Sequence, residues 1–487
     1  MKKLIFICYF VLFAGNAVAQ INLTESLYNS YEQYKEKALA ERLVKHNDIE
    51  KLINSLRSNP LFKIKKAGTS LEGKNIYLIS IGKGPVNVLS WSQMHGDEPT
   101  ATMALFDIFN FFMKESEYKE LKNYILSKLT LHFIPMLNPD GAEKFTRRNA
   151  LSIDLNRDAG RVEFPEAQIL KSVRDSIKPE FGFNLHDQNP RYSAGNSHRT
   201  ATISFLAPAF NYEKEINDVR KNTMAVIVRL SEELGKVIPG HIARYNDDFE
   251  PRAFGDNFVK WGTSSILIES GGWVNDPEKQ FIRKLNFIAL INAFKIIADE
   301  EFKCVDYHKY FNIPENDKLI FNILLRNLNI TFNGKKYLID IGVNREEKAE
   351  PGTNRIFYYG TIDDIGDLSI FYGNEEINCE GMDIFPGKVY PEIFQTVDDL
   401  KKINFTDLLT GGFTTVKVEN IELNSRFTKI PFNIVSSGKN IDQSIVVDNK
   451  ANFYVTENGK VRFVIVNGFL FDVETQKGKI SNGLVFR

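Results

Sequence analysis

Between residues 86 and 300, short apolar runs alternate with amphipathic stretches, and this rhythm limits the possible folds more than any single motif does. The runs at 86–91, 129–136, 181–185, 202–206 and 264–268 predict buried strands. The stretches at 100–114, 117–127, 165–176, 212–235 and 278–299 predict helices. Strands alternating with helices argue for an α/β fold whose central mixed sheet carries helices on both faces. Upstream, residues 27–56 are charged and helix-favouring and predict two short helices, and residues 68–82 predict a turn-bounded pair of strands. After Lys303 the texture changes. Residues 310–487 are rich in Ile, Val, Phe, Gly and Asn in short alternating runs, which predicts a mostly β region.

At 487 residues the chain exceeds what one core normally serves, so more than one domain is expected. Lys2 and Lys3, the apolar residues 4–13 and Ala17-Val18-Ala19 form a secretory signal pattern over residues 1–19. The expected organisation is therefore a signal peptide at 1–19, an α/β domain with leading helices at 20–302, and a β-rich accessory domain at 310–487. The apolar core of the signal is too short to span a membrane, and no later stretch reaches 18 uninterrupted apolar residues. A secreted or periplasmic protein without a membrane span is the expectation. The formal net charge of −1 and the lack of a basic tract argue against a nucleic-acid partner. Cys304 and Cys379 could pair, but they make no disulfide framework. Nothing in the sequence sets an oligomeric state.

The chemistry-bearing residues sit where these strands end. His95-Gly96-Asp97-Glu98 lies between the first apolar run and the following helix, a place from which imidazole and carboxylate can grip one metal ion. Asn138-Pro139-Asp140-Gly141 closes the next strand, followed by Arg147-Arg148-Asn149 and then by Asp154-Leu155-Asn156-Arg157. His186 and Glu269 end two further apolar runs. Ligands in open α/β sheets gather beyond the carboxyl ends of the strands, so these five segments converge on one crevice. No Ser or Cys occupies a recognisable nucleophile setting. His132 reads as structural, His46 and His308 as surface residues, and His198 as part of a polar loop.

In their order, HxxE, NPDG, DxNR, His and Glu, these motifs resemble the zinc carboxypeptidase family, over about residues 65–300. The resemblance implies one zinc ion per chain, held by His95, Glu98 and His186, with Asp154 orienting a ligand imidazole. It implies Glu269 as the general base for the attacking water, and Asn156 and Arg157 as the grip on a substrate's terminal carboxylate. Either Arg147 or Arg148 would polarise the scissile carbonyl, with Arg148 slightly favoured. Tyr245 is the candidate for the family's mobile tyrosine. The implied activity is release of a C-terminal residue from a peptide or peptide-like substrate. Two alternatives remain open: an amidase or deacylase of the same fold acting on side-chain or cell-wall amides, and a catalytically silent peptide- or glycan-binding protein.

Within 315–487, two stretches resemble the composite β domain that accompanies amidohydrolase barrels: 324–388, ending in Pro386-Gly387-Lys388, and 451–468. About sixty residues separate them, too few for a (β/α)8 barrel. Beyond residue 241 only His308 could supply an imidazole ligand, so no catalysis is assigned to this half.

Overall fold

The computed structural model describes residues 22–350 and 352–487, so the signal pattern at 1–19 lies outside the described residues. An eight-stranded mixed sheet organises the first half. Its spatial order is Lys63–Thr69, Asn75–Gly82, Leu129–Ile134, Val86–Ser92, Phe181–Asp187, Ser264–Ser270, Ile203–Leu206 and Ile242–Arg244. The four strands from Leu129–Ile134 to Ser264–Ser270 run parallel, and the neighbours on either side are antiparallel to them. Those four are among the five runs read as buried strands, and strands covered on both faces are expected to be mostly apolar.

One face packs against helices Thr100–Met113, Asp218–Leu234 and Gln280–Ala298 through a large aromatic and aliphatic core. The other face is covered by Pro165–Ile177 and Phe254–Lys260, which pack on Leu89, Trp91 and Ile134. The leading helices, Leu23–Ser30 and His46–Leu56, close over the first core. A buried ion pair, Arg283 Nη2 to Asp107 Oδ1 at 2.5 Å, ties them down. Asp107 also accepts from Tyr31, while Arg283 donates to the Glu36 and Leu39 carbonyls.

Several elements were not read from the sequence, short 3-10 segments and the two-residue strand Ser193–Ala194 among them. Residues 139–144, expected as a turn, form a helical turn with Pro139 at its start and the Asn138 side chain accepting from Gly141 N. The strand Ile242–Arg244 and the helix Phe254–Lys260 were also missed. Two further expectations need correction. His46 is buried and bonds the Asn75 carbonyl, and Cys304 and Cys379 are both free, one exposed and one buried.

From Asn316 onward the chain is almost entirely β. A seven-strand path, with Tyr372–Asn378 paired on its flank, packs against a five-stranded sheet. Between Pro386 and Ala451 lie strands, a short 3-10 segment and one short helix, not a barrel. No helix among the described residues is long and apolar enough to cross a membrane.

Candidate metal and active site

The parallel strands all end at one edge, and the site is built there. His186 and Glu269 are paired across neighbouring strands, which sets their side chains next to one another. The turn carrying His95 and Glu98 follows Ser92 directly. It needs glycine at Gly96, where a Cβ would lie 2.0 Å from the Gly141 carbonyl carbon. Gln93 braces this turn, donating to the Gly96 carbonyl and accepting from Thr102.

His95, Glu98 and His186 converge, all three buried. His95 Nδ1 is 2.8 Å from Glu98 Oε1, His186 Nδ1 is 2.7 Å from Glu98 Oε2, and the two Nδ1 atoms are 3.1 Å apart. His95 Nε2 lies 3.1 Å from Asp154 Oδ1, so it carries the proton donated to that carboxylate. The His95 Nδ1 lone pair then faces carboxylate oxygens and a second imidazole. Acceptors aimed at one another in a buried pocket call for a cation between them. Two imidazoles and one carboxylate suit zinc and leave a fourth position open.

Among themselves these groups perturb one another's ionisation. Burial alone would lower the His95 pKa, but the Glu98 charge and the bonds to Asp154 and Glu98 raise it to about 9. Burial also opposes ionisation of Glu98, yet the two histidines hold it well below the usual carboxylate range. His186 goes down because its burial outweighs the attraction of Glu98. Burial, followed by the Glu98 charge, pushes Glu269 well up, and its Oε2 has no partner among the described residues.

The structure separates the two arginines. Arg147 Nε donates to Asp154 Oδ2 at 3.0 Å, and its Nη1 lies 3.3 Å from Glu98 Oε1. Arg148 is exposed and donates to the Ser152 carbonyl, so of the two arginines, between which the sequence slightly favoured Arg148, it is Arg147 that reaches the cluster. Asp154 is well below its ordinary range: burial opposes this, and the His95 hydrogen bond with the His95 and Arg147 charges overrides it. Asn156 uses its Oδ1 to accept from Phe254 N, which anchors the unforeseen helix beside the site. Arg157 donates to the Asn156 carbonyl and pairs with Glu250 at 3.2 Å. Tyr245 lies within reach of the Glu269 charge: burial and then that charge raise its pKa, and its ring meets Tyr192 at 6.2 Å. His198 sits against Tyr372 of the β half, and His132 is held between Ser80 and Asn87 in the sheet.

Sequence reasoning missed a buried pair next to the cluster. Asp187 follows His186 and accepts from Lys279 Nζ at 3.0 Å and from Thr100 Oγ1 at 2.5 Å, while its backbone N–H donates to Glu98 Oε2. No sequence signal connects positions 92 residues apart. Asp97 was also passed over; burial, aided by the Glu98 charge, pushes it up to about 6.

Residues 49–217 match the zinc carboxypeptidase family. The matched span contains His95, Glu98, Arg147, Asp154, Asn156, Arg157 and His186, while Tyr245 and Glu269 lie beyond it. The donors of the cluster within this span, two imidazoles and one carboxylate, fit zinc. Carboxypeptidase SOL1 of Arabidopsis thaliana is 29% identical over 128 residues, covering 25% of this chain and 26% of that protein. The match thus spans about a quarter of the length of that curated relative. Among solved structures, a metallo-carboxypeptidase from Burkholderia cenocepacia is 16% identical, covering 53% of this chain and 69% of that one, with a TM-score of 0.42. Thrombin activatable fibrinolysis inhibitor is 15% identical, covering 58% and 83%, with a TM-score of 0.45.

Proposed function

We propose that this protein is a secreted or periplasmic zinc metallocarboxypeptidase that hydrolyses the C-terminal amide bond of peptides. The observation that carries the reading is the buried meeting of His95, Glu98 and His186 with Glu269 paired beside His186. A binding protein has no need of an unpartnered, buried carboxylate next to such a cluster.

His95, Glu98 and His186 would hold one zinc, which when bound supplies Lewis-acid polarisation and acidifies water to near neutrality. Asp154 keeps His95 in the tautomer that offers Nδ1, and Arg147 in turn fixes Asp154. Glu269 takes one proton from the attacking water as the carbon–oxygen bond forms. It delivers that proton to the amine as the carbon–nitrogen bond breaks, giving a carboxylate and a free amino acid. Arg147, at the edge of the cluster, faces the developing oxyanion. The Asn156 amide nitrogen and the Arg157 guanidinium take the terminal carboxylate.

The test is zinc content by elemental analysis together with release of terminal amino acids from N-blocked peptides. One zinc per chain and residue release are expected, with both lost in His186→Ala. Zinc without release of any terminal residue would transfer the protein to the amidase or deacylase alternative. No zinc would leave only the binding protein.

A further inference from the structure

The wall that continues from the metal cluster is unusually cationic. A cavity of about 760 Å³ is lined by Arg147, Arg148, Arg157, Arg161 and Arg252. Arg147 joins it to the cluster, since the same guanidinium lies 3.3 Å from Glu98 Oε1. Three carboxylates face these five arginines. Asp154 is engaged by His95 and Arg147. Asp158 is engaged by the backbone N–H groups of Glu163 and Phe164. Glu250 binds Arg252 through both oxygens, at 2.9 and 2.7 Å, and also reaches Arg157. Two positive charges therefore remain in excess. Arg148 bonds only the Ser152 carbonyl, and Arg161 has no side-chain hydrogen bond or ion pair among the described residues.

Resting on the carboxypeptidase reading above, we propose that this cavity is an acid-selecting subsite: the terminal residue removed carries a second carboxylate, as glutamate or aspartate does, and Arg148 and Arg161 bind it. One free carboxylate already has its partner in Arg157. A substrate bearing a single negative charge would leave two guanidinium groups facing solvent or an apolar side chain with no counter-ion. A dicarboxylate terminal residue answers both, because an arginine fork matches carboxylate geometry. The same excess charge disfavours a terminal lysine or arginine by like-charge repulsion.

The experiment compares kcat/KM for N-blocked peptides ending in Glu, Asp, Leu or Lys. It uses zinc-loaded wild type and the double variant Arg148→Glu, Arg161→Glu. Both positions are exposed and outside the catalytic set, so the variant should fold. Wild type should prefer Glu over Leu by on the order of tenfold or more, as charge-assisted hydrogen bonds allow. The double variant should lose that preference and gain activity on Lys, with cleavage of the Leu peptide changed by less than about threefold. Equal rates on Glu, Leu and Lys peptides in wild type would overturn the subsite while leaving the carboxypeptidase reading intact. If no peptide is cleaved, that reading fails and calorimetry decides the subsite. N-acetyl-glutamate must then bind about tenfold more tightly than N-acetyl-norleucine, and only in wild type. Equal affinities overturn it.

Discussion

The two halves of this molecule bury polar groups of different kinds. In the α/β half, His95, Glu98, Asp107, Asp154, His186 and Arg283 are charged or titratable, and Asp187 and Glu269 join them as residues with a carboxylate oxygen shut away from water. From Asn316 onward every buried polar residue described is a neutral Asn, Gln or Thr. Those amides form a network that stitches sheets. Asn433 donates to Asn452, Asn452 accepts from Asn467 N, and Asn467 bonds both Gly360 N and the Tyr358 carbonyl. A buried charge is expensive unless it is paired or used, whereas a buried amide with its bonds made is tolerable architecture. The contrast sets buried titratable groups in one half and buried neutral amides and hydroxyls in the other.

The largest test of that contrast is Glu269→Gln. On the proposed mechanism turnover should fall by about 10²–10⁴-fold while zinc content stays at the wild-type value, because that mechanism loses its proton carrier and keeps its metal donors. Comparable residual activity would remove Glu269 as the base. A buried charge that is purely structural should behave in the opposite way. Arg283→Met leaves Asp107 unpaired in the core and should cost about 3–5 kcal/mol in denaturant unfolding, with zinc binding retained below the transition. Little destabilisation would show that the leading helices do not depend on this pair.

In the β half, Asn467→Ala strands the Gly360 N–H and the Tyr358 carbonyl. The expected cost is on the order of 2–3 kcal/mol, with kcat and zinc content unchanged. A change in kcat would break the division between the halves. The smallest effect concerns Asp256, which burial pushes up to about 7, with Glu250 adding to the rise. An unfolded aspartate titrates near pH 4, so between about pH 4 and pH 7 the native state holds a proton that the unfolded chain has released. Stability contributed by Asp256 therefore falls as pH rises through that window. Asp256→Asn, which keeps the oxygen that accepts from Glu250 N, should raise Tm at pH 8 by about 2–4 °C and leave it unchanged near pH 4. Equal shifts at both pH values would mean that the effect is not titration.

Legibility in the sequence followed length and periodicity. The long helices Thr100–Met113 and Gln280–Ala298 and the four parallel strands carry enough apolar residues at the right period to be read directly. The strand Ile242–Arg244 and helix Phe254–Lys260 are short, and they form because neighbours hold them: Ile203–Leu206 pairs with the first, and the Asn156 amide accepts from Phe254 N at the second. The same distinction runs through the site. Metal-ligand types at strand ends were visible as a pattern, while Lys279 beside Asp187 and Glu250 between two arginines were not.

By itself, the sequence determined the alternating architecture, the change of texture after residue 303 and the set of polar residues at strand ends, because local periodicity and motif order are properties of the chain. Only the tertiary structure decided which guanidinium reaches the cluster. Arg147 and Arg148 are identical in type and adjacent in sequence, and only the packed turn sets one on Asp154 and the other on the Ser152 carbonyl at the cavity's edge. It also decided that five arginines from three segments share a wall, since through-space charge has no counterpart in a linear pattern.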